Sequence, residues 1–424
     1  MAAGTGTAAV DVAVIGAGAA GMMCAATAGR RGRRVVLIDH ATKLAEKIRI
    51  SGGGRCNFTN RDAGPANFLS ANPNFCRSAL ARYTSQDFID LVTRHRIAWH
   101  EKHRGQLFCD ESSEDIIRML RAETDAAGVS WRMPCSVTAI TRNVPASQTA
   151  PDADPSGFPT RTGFIIETSH GPIHAGRVVI ATGGLPIPQI GATDFGLKIA
   201  RQFGLKIIEP RPALVPLTFD AAAWKPFVPL AGVALEVDIR TGEGKKAPRF
   251  REDLLFTHRG LSGPAVLQIS SFWEPNTPIT IDLAPGLDLA AALLDAKPGN
   301  RQQVVTVLSG LLPRRLAEQW LVAHGDLWPG LATQRLADVP DKTLRALAAS
   351  LASWAVVPSG TEGYKKAEVM RGGVDTRGLD QQTMEAKTVP GLHFIGETVD
   401  VTGWLGGYNF QWAWASGVAA GQAV

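Results

Sequence analysis

The sequence predicts an α/β fold with a parallel βαβ unit near its beginning, and three observations lead to that prediction. An apolar, β-branched stretch at 10–15 predicts a buried strand, and the glycine turn GAGAAG follows at 16–21. Small residues from 19 to about 29 predict a helix, and a second apolar strand at 34–38 ends in Asp39. A strand, a glycine turn, a helix and a strand that ends in an acid form the pattern of a dinucleotide-binding unit.

Each residue type in this pattern has a physical role. Gly16 permits the sharp turn, Gly18 lets backbone N–H groups approach a pyrophosphate, and Gly21 lets the helix pack closely on the strand. Asp39 can accept hydrogen bonds from a ribose. Glycines at this spacing also occur in ordinary turns, and the pattern alone does not distinguish FAD from NAD.

The composition is that of a large globular protein. At 424 residues, 45% of them hydrophobic, the chain is long enough for two or three domains with substantial cores. Its formal net charge of +5 is small for this length, and the basic residues are scattered. The charge therefore neither requires nor excludes a nucleic acid as partner.

The five cysteines are far apart and include no CxxC pair, which argues against a zinc site, a disulfide framework or a redox dithiol. A reducing compartment is the default for such cysteines. The first residues lack a basic segment, and the apolar stretch after them carries Asp11 and glycines, so we expect neither a signal peptide nor a membrane span. We therefore expect a cytoplasmic protein without a bound metal.

A second glycine-rich element, EKIRISGGGRCNFTN, follows at 46–60. Its three consecutive glycines expose backbone N–H groups with little steric cover, which suits a loop around a phosphate or a flat ring. Arg55, Cys56, Asn57 and Asn60 are further candidates for ligand contact. A flexible surface loop is the alternative, but the flanks are not of low complexity, which favours the binding interpretation.

Residues 73–127 predict helical segments, with a strand, a turn and a strand between them at 98–109. His95, His100 and His103 lie in this region and would be candidates for a metal set. They lack helical i, i+4 spacing and a carboxylate companion, so we expect surface or hydrogen-bonded histidines instead.

The segment 143–163 is rich in Pro, Ser, Asp and Thr, so we expect an exposed connection. Alternating polarity around an HGP turn then predicts a hairpin that leads into a buried strand at 178–181. Ala181, Thr182 and Gly183 end that strand in a tight turn. The turn either lies against a cofactor or only terminates the strand, and the sequence favours neither.

From residue 210 the chain becomes rich in strands and prolines, and helical periodicity returns later. We therefore expect an inserted domain over 210–365 that faces a substrate, with a β-rich part at 210–286 and a helical part at 287–357. Within it, FTHRGLSGPAVLQIS predicts a strand, a turn and a helix with Pro264 in its first turn. The start of that helix either faces a ligand or forms a packing junction.

The last segment, 366–424, predicts a strand at 392–395 that leads into Gly396 and Glu397, then a glycine-rich loop and a helix. A strand followed by a glycine and an acid suits a contact to ribose or ribityl hydroxyls. The N–H groups of 406–409 would lie at the helix N-terminus, where they can stabilise negative charge on a reduced ring.

Several segments together match a known family. SGGGRCN, THRGLSGPA and GGYNFQWA are the most specific, and GAGAAG, IATGG, GATDFGLKIARQFG, AEVMRGGVDT and FIGETVDVTGWLGG also match. With these segments, almost the whole chain closely resembles the bacterial BaiN/RdsA-type FAD-dependent oxidoreductases, also called aminoacetone-oxidase-like flavoproteins.

The resemblance implies a two-dinucleotide-binding-type FAD domain, a Rossmann-like fold formed by 1–209 and 366–424, around an inserted β-barrel-like and helical domain. FAD is the implied cofactor. The implied cofactor-binding residues are Gly16, Gly18, Ala19, Ala20, Gly21, Asp39, Lys47, Ser51, Gly52, Gly53, Gly54, Asn57, Val137, Ala181, Thr182, Gly183, Gly396, Glu397, Gly407, Tyr408 and Asn409.

With FAD as the implied cofactor, our main hypothesis is hydride transfer through flavin N5 to or from a small organic substrate. Reduction of a C=C bond next to a ketone is one implied reaction. The chain has neither a second GxGxxG nor a CxxC, so we expect NAD(P)H only as a transient electron donor. His258 and Tyr408 are the candidate proton donors, and a structural role is equally open for each.

Two departures from the family pattern bear on the substrate and leave FAD binding unchanged. Cys109 stands where a proline is usual, and Met370 and Arg371 stand where small residues are common.

The alternative from another class is an RNA-modifying or RNA-binding flavoprotein. The low net charge and the lack of a cysteine pair disfavour it, whereas a pI near 9 keeps it open. A third alternative is a flavin-binding protein without turnover. We rank a small-molecule substrate above a nucleic acid.

Overall fold

The computed structural model of the chain describes residues 9–143, 163–244 and 246–424. By its internal packing the chain divides into two units. The first unit consists of Met1–Arg211 together with Val369–Val424, and the second unit consists of Pro212–Glu368. The exposed connection expected over 143–163 lies, apart from its two end residues, outside the described ranges.

The secondary-structure elements are numbered along the chain. The strands are β1 (Ala9–Ile15), β2 (Val35–Ile38), β3 (Asn57–Asn60), β4 (Phe68–Leu69), β5 (Trp99–Glu101), β6 (Gln106–Cys109), β7 (Ser130–Arg132), β8 (Val137–Asn143), β9 (Gly163–Thr168), β10 (Ile173–Ile180), β11 (Ile207–Ala213), β12 (Leu217–Thr218), β13 (Ala234–Thr241), β14 (Arg249–Phe256), β15 (Gly260–Ser262), β16 (Ile279–Asp282), β17 (Trp354–Val356), β18 (Gly360–Thr361), β19 (Val369–Val374), β20 (Leu392–Phe394) and β21 (Thr402–Gly403). The α-helices are α1 (Ala19–Arg30), α2 (Glu46–Ile50), α3 (Arg77–Arg82), α4 (Ser85–Arg94), α5 (Glu114–Ala126), α6 (Phe195–Gln202), α7 (Ala221–Trp224), α8 (Pro264–Ser270), α9 (Leu289–Asp295), α10 (Val304–Ser309), α11 (Arg314–Ala323), α12 (Asp341–Ala352) and α13 (Tyr408–Ala423).

The first unit is built on a sheet whose centre is parallel. In this sheet β1 pairs with β2 and β10, β2 pairs with β7, and β10 pairs with β20, all in parallel. The antiparallel hairpin β8–β9 extends it beyond β10. Residues 12–15 of β1 and all of β2 are buried, as expected for strands covered on both faces. The structure thus confirms the predicted α/β class and the βαβ unit β1–α1–β2.

Helix α13 packs directly on α1 and joins the two ends of the chain. A Cβ atom at Gly417 would lie 2.6 Å from the backbone oxygen of Ala20, and one at Gly421 would lie 2.6 Å from the Cβ of Thr27. These two glycines therefore set how closely the helices approach. The indole N–H of Trp412, a fully buried side chain, donates to the backbone oxygen of Gly396 (2.9 Å).

The second unit is an antiparallel sheet with helices α7 to α12. Its strand order is β17-β16-β13-β14-β15-β12-β18. Its core contains Trp224, Trp320 and Trp354, and the ring of Trp224 stacks on Phe219 at 4.5 Å. The strand and helix predicted from FTHRGLSGPAVLQIS are present as the end of β14 and as α8, which begins at Pro264, and the segment between them also contains the short strand β15, which was not predicted.

We expect that Gly417→Val lowers the stability of the protein. The added side chain would overlap the backbone of α1, and overpacking of this kind typically costs about 1–3 kcal/mol. Valine is chosen because alanine would regain about 1 kcal/mol of helix propensity. The measurement is the urea concentration at the midpoint of unfolding, followed by circular dichroism. Gly378→Ala is the control, since its Cβ would make an ordinary 3.7 Å contact with Leu205. An unchanged midpoint for Gly417→Val would show that this contact does not limit helix packing.

Candidate functional site

The first glycine turn has one crowded side and one open side. Gly16 adopts φ +107°, and a Cβ there would lie 2.4 Å from the backbone oxygen of Ala181. A Cβ at Gly21 would lie 1.8 Å from the backbone oxygen of Gly16. At Gly18, in contrast, an added Cβ would meet no atom of the described residues within 4 Å. Two glycines therefore form the turn, and the third leaves the approach to it open.

Helix α1 begins at this turn, with Gly18 as its N-cap residue and no capping side chain among the described residues. The first-turn N–H groups, which include those of Ala19 and Ala20, therefore remain for another acceptor. The dipole at a helix N-terminus also favours an anion. Both properties suit a pyrophosphate.

Asp39 lies at the end of β2, against the glycine turn. Its Oδ2 accepts a hydrogen bond from the backbone N–H of Ala17 (2.6 Å), and its Oδ1 accepts one from Ala41 (2.8 Å). Each carboxylate oxygen keeps a second lone pair, which a ribose hydroxyl could use. The backbone oxygen of Asp39 accepts from the N–H of Cys135 (2.7 Å), two residues before Val137 begins β8. The hydrogen bond from Ala17 was not predicted from residue spacing.

The second glycine-rich loop is anchored at its ends and open in its middle. The hydroxyl of Ser51 donates to the backbone oxygen of Ile48 (2.7 Å). A Cβ at Gly52 would lie 2.8 Å from the backbone nitrogen of Asn57. At Gly53 and Gly54 an added Cβ would meet no described atom within 4 Å. The loop therefore presents its backbone outward at these two residues.

The last glycine loop touches the second one through Asn57. The Asn57 amide, assigned so that both of its ends are satisfied, donates to the backbone oxygens of Leu107 and Thr59 and accepts from the N–H of Gly407 (3.2 Å). Gly407 has φ +94°, and a Cβ there would lie 2.3 Å from the backbone of Thr59. Only glycine fits this approach. Residues 350 positions apart in the chain thus form one surface.

Glu397 is held in place by two partners. It forms an ion pair with Lys47, and its Oε1 accepts a hydrogen bond from the N–H of Met370 (2.9 Å). The preceding residue, Gly396, is so near α1 that its Cβ would lie 3.0 Å from the Cβ of Ala20. The late glycine and acid therefore lie beside the first turn of α1. The sequence analysis singled out Lys47 and Glu397 separately and did not predict that they pair.

The turn after β10 lies against the same glycines. The N–H of Ala181 donates to the backbone oxygen of Ile15 (2.8 Å), and the backbone oxygen of Gly183 accepts from the hydroxyl of Thr398 (2.9 Å). The Thr182 hydroxyl is buried and has no hydrogen-bond partner among the described residues. A Cβ at Gly183 would meet no described atom within 4 Å.

Tyr408 and Asn409 begin α13 and differ in role. The Asn409 side chain closes its own loop, since it accepts from the N–H of Gly403 (2.8 Å) and donates back to the oxygen of the same residue (2.9 Å). The Tyr408 ring packs edge-on against Phe68, with the ring centres 6.3 Å apart. Burial raises the pKa of the Tyr408 hydroxyl. His258 belongs to the second unit, where it is exposed in the turn after β14.

The residues of the first unit fit a dinucleotide cofactor. The N-termini of α1 and α13 each have a glycine as the N-cap residue and no capping side chain among the described residues. The open glycines Gly18, Gly53 and Gly54 lie in loops whose other glycines are in tight backbone contact, and the open Gly183 is followed by Gly184, which lies against the side chains of Glu397 and Met370. An acid follows each of the strands β2 and β20. This combination provides N–H donors for phosphates and carboxylates for hydroxyls.

The structure gives the histidines and cysteines other roles than metal binding. His95 pairs with Glu123 (2.6 Å) and His100 with Asp110 (2.6 Å). No group of three or more His, Cys, Asp or Glu in the described ranges could hold a metal ion. All five cysteines are buried and unbridged, and burial raises the pKa of Cys24 and Cys109 to about 12.

Of the helices that the structure describes, none combines the length and apolar character needed to cross a bilayer.

Comparison with known proteins gives one family model and several relatives. The model described as HI0933-like protein Rossmann domain matches residues 10–423. The chain is 47% identical over 421 residues to a protein of Escherichia coli (strain K12) named ribosomal RNA dihydrouridine synthase, and the match covers 97% of each chain. It is 42% identical to a protein of the same name from Haemophilus influenzae, again over 97% of each. It is 26% identical to the 3-dehydro-bile acid delta(4,6)-reductase of Clostridium scindens, over 97% of this chain and 98% of that one.

We expect the variants Gly18→Ala and Gly21→Ala to separate cofactor binding from folding. Gly18 has φ −80°, which alanine tolerates, so Gly18→Ala should leave the melting temperature of the apoprotein unchanged. Its methyl group should weaken FAD binding about tenfold, because it occupies the approach to the helix N-terminus.

Gly21→Ala serves as the contrasting variant. Its Cβ would clash with the backbone of Gly16 at 1.8 Å, so the melting temperature of the apoprotein should fall. FAD affinity is measured by titration of the apoprotein and melting by calorimetry. A Gly18→Ala protein that binds FAD as tightly as the wild type would place the pyrophosphate elsewhere.

Proposed function

The chain belongs to the HI0933-like family of FAD-binding Rossmann proteins and is an FAD-dependent oxidoreductase, and from this premise we propose that it reduces the C5–C6 double bond of uridine in ribosomal RNA. The single structural observation that carries the proposal is the set of open glycines and uncapped helix N-termini in the first unit, which suits a flavin nucleotide. The choice of RNA rests on the two relatives named for ribosomal RNA, at 47% and 42% identity.

The names of the relatives describe related chemistry. In uracil the C5–C6 double bond is conjugated with the C4 carbonyl, and the bile-acid reductase is named for double bonds in a 3-keto steroid. In both cases the bond to be reduced is activated by a carbonyl group. This agrees with the C=C reduction that the sequence resemblance implied. The RNA substrate, which the sequence analysis ranked second, takes first place here because of the two higher identities.

We assign the cofactor contacts as follows. The N–H groups of Gly18 to Gly21 would hold the pyrophosphate, and Asp39 would accept from the adenosine ribose. The open backbone at Gly53 and Gly54 would line the phosphate and ring side. Bound FAD supplies a hydride from its reduced ring, and NAD(P)H is our proposed transient donor to it.

Glu397, fixed by Lys47, would accept from the ribityl hydroxyls. The N–H groups of 407–409 would stabilise negative charge at the edge of the ring.

Tyr408 is our proposed proton donor. Addition of a hydride to C6 of uracil leaves negative charge on C5 and O4, and C5 must then accept a proton. Burial raises the pKa of Tyr408 above its ordinary value near 10, so the hydroxyl stays protonated at neutral pH. Activity should therefore not depend on ionisation of this group between about pH 6 and 9.

The same site could instead reduce a small enone. The 26% identity to the bile-acid reductase, over 97% of this chain, supports this second candidate. It requires the same hydride and proton transfers and differs only in what the open side of the site admits. The two candidates are therefore separated by substrate and not by mechanism.

We expect the purified enzyme, supplied with FAD and NADPH, to form dihydrouridine in unmodified ribosomal RNA transcribed in vitro. The measurement is mass spectrometry of the nucleosides after digestion, with the same reaction lacking NADPH as control. A 3-keto-Δ4 steroid is offered in a parallel reaction. Reduction of the steroid without any dihydrouridine would refute the RNA proposal and favour the small-molecule candidate. Failure of NADH and NADPH to bleach the flavin would remove the nicotinamide donor.

We expect Tyr408→Phe to slow reoxidation of the reduced flavin by substrate about 10²- to 10⁴-fold, the usual contribution of a general acid. Reduction of the flavin by NADPH should not change, because it needs no proton from this group. Rapid-mixing absorbance measures both steps. Tyr83→Phe is the matched control, since it removes a mostly buried hydroxyl whose pKa burial also raises. Equal reoxidation rates for Tyr408→Phe and the wild type would exclude Tyr408 as the donor.

A further inference from the structure

Each of the first three residues of β3 forms a hydrogen bond to α13. The three pairs, with donor–acceptor distances of 3.2, 2.8 and 2.7 Å, are Asn57 with Gly407, Phe58 with Trp414, and Thr59 with Gln411. The helix residues of these pairs are spaced by four and then by three positions, so they lie on one face of α13. Strand β3 therefore fixes the rotation of this helix about its own axis.

The last residue of β3 holds the loop that leads into α13. Asn60 is 1% exposed, and its Nδ2 donates to the backbone oxygens of Arg104 and Gly406, at 3.0 Å in each case. A Cβ at Gly407 would lie 2.3 Å from the backbone oxygen of Thr59. The strand therefore holds both the loop and the first turn of the helix.

Gln411 is the central residue of the face that β3 contacts. Its side chain and that of Thr59 are both completely buried. Its Oε1 accepts from the Thr59 hydroxyl, and its Nε2 donates to the backbone oxygen of Tyr83, which follows α3 (2.9 Å). An apolar side chain at this position would leave a buried hydroxyl and a carbonyl oxygen without this partner, which is costly away from water.

The rotation of α13 determines where Tyr408 lies. Tyr408 is four residues before Trp412, so the two share a face of the helix, and the Trp412 indole on that face reaches the oxygen of Gly396 (2.9 Å). A Cβ at Gly403 would lie 2.9 Å from the Cβ of Tyr408, so the tyrosine is also closely packed on its own loop. A change in the contacts of Gln411, three residues along the same helix, would therefore move the Tyr408 ring.

We infer that Gln411 is a positioning residue for the proton donor Tyr408, an inference that rests on the proposed function. Gln411 is completely buried, so it acts through the helix and not by contact with a substrate. Through Thr59 and Tyr83 it holds the first turn of α13 at the rotation that directs the Tyr408 hydroxyl to C5 of the uracil. Hydride transfer to C6 does not involve this hydroxyl, whereas protonation of C5 does. Misplacement of a catalytic group by about 1 Å can slow a reaction about 10²-fold.

The position of the Tyr408 ring can be observed without turnover. The chain contains three tyrosines, Tyr83, Tyr364 and Tyr408. Protein labelled with carbon-13 at the tyrosine Cζ should therefore give three resonances, and Tyr408→Phe identifies the one that belongs to Tyr408. We expect Gln411→Met, which keeps the size of the side chain and removes its amide, to shift this resonance in the FAD-loaded protein.

A pair of matched threonine variants controls for the loss of a buried hydroxyl. Thr59→Val removes the hydroxyl that bonds to Gln411 and should also shift the Tyr408 resonance. Thr124→Val removes an equally buried hydroxyl that bonds to the backbone of its own helix, α5, and should leave the resonance unchanged.

The two half-reactions of the enzyme give a second measurement. Gln411→Met should slow reoxidation of the reduced flavin by substrate about 10²-fold and leave flavin reduction by NADPH unchanged. The substrate is ribosomal RNA or, where RNA does not reoxidise the wild type, the 3-keto-Δ4 steroid. In a Tyr408→Phe background the same change should slow reoxidation no further, because the donor is already absent. A general effect on folding would slow both backgrounds equally.

Gln411→Glu should restore the contacts in one protonation state. The protonated carboxyl can accept from Thr59 and donate to the oxygen of Tyr83, as the amide does, whereas the carboxylate has no hydrogen to donate. Burial raises the pKa of the introduced carboxyl above its ordinary value near 4.3. Reoxidation by this variant should therefore be faster near pH 6 than near pH 9, whereas that of the wild type should be the same at both.

The melting temperature and the FAD content are measured for every variant, and Thr59→Val replaces Gln411→Met in both experiments if the latter does not fold. An unmoved Tyr408 resonance overturns the inference, as does equal slowing by Gln411→Met with and without Tyr408. A wild-type reoxidation rate in Tyr408→Phe also overturns it and leaves the reduction of RNA intact. A wild-type flavin that neither substrate reoxidises refutes the proposed function, and the resonance alone then shows whether Gln411 holds the tyrosine.

Discussion

The close packing of α13 on α1 is the constraint on which the candidate site depends. Gly417 lies against the backbone of α1, and the first residues of α13 are thereby fixed beside the opening glycine turn. Gly396 is held between the two helices, since its oxygen accepts from Trp412 and its N–H donates to the hydroxyl of Ser416 (3.0 Å). Because the two helices belong to opposite ends of the sequence, neither end alone contains the site.

The glycines of the site fall into two physical groups. Gly16, Gly21 and Gly407 are in contact with backbone atoms, and any side chain there would move the chain. Gly18 and Gly53 face open space. At Gly18, with φ −80°, a side chain would obstruct only what binds, whereas the φ of +67° at Gly53 also favours glycine for the backbone. The first group shapes the loops, and the second keeps them accessible. A single substitution scan across one motif would therefore give two different phenotypes.

Local patterns in the sequence were sufficient to predict much of this fold. The spacing of apolar and small residues predicted β1, α1 and β2, the HGP hairpin, and the helix that begins at Tyr408, because each depends on neighbours in the chain. The ion pair of Lys47 with Glu397 and the two bonds donated by Asn60 could not be predicted in this way. The residues joined by these three contacts lie 350, 346 and 44 positions apart, and residue spacing carries no information about such contacts. The bonds of Asn409 to Gly403 were missed because a polar residue after glycines suggests a ligand contact as readily as a loop closure.

The burial of every cysteine matters for a flavoenzyme that works in the presence of dioxygen. A reduced flavin exposed to dioxygen yields hydrogen peroxide, and peroxide attacks the thiolate form of cysteine. Here Cys24, Cys76 and Cys109 are covered, and burial holds the pKa of each at about 11 or 12, so their thiolate fraction at neutral pH is very small. Peroxide formed when the reduced flavin reacts with oxygen would therefore find few reactive thiolates in the same protein. Loss of activity by oxidation of these cysteines should be slow.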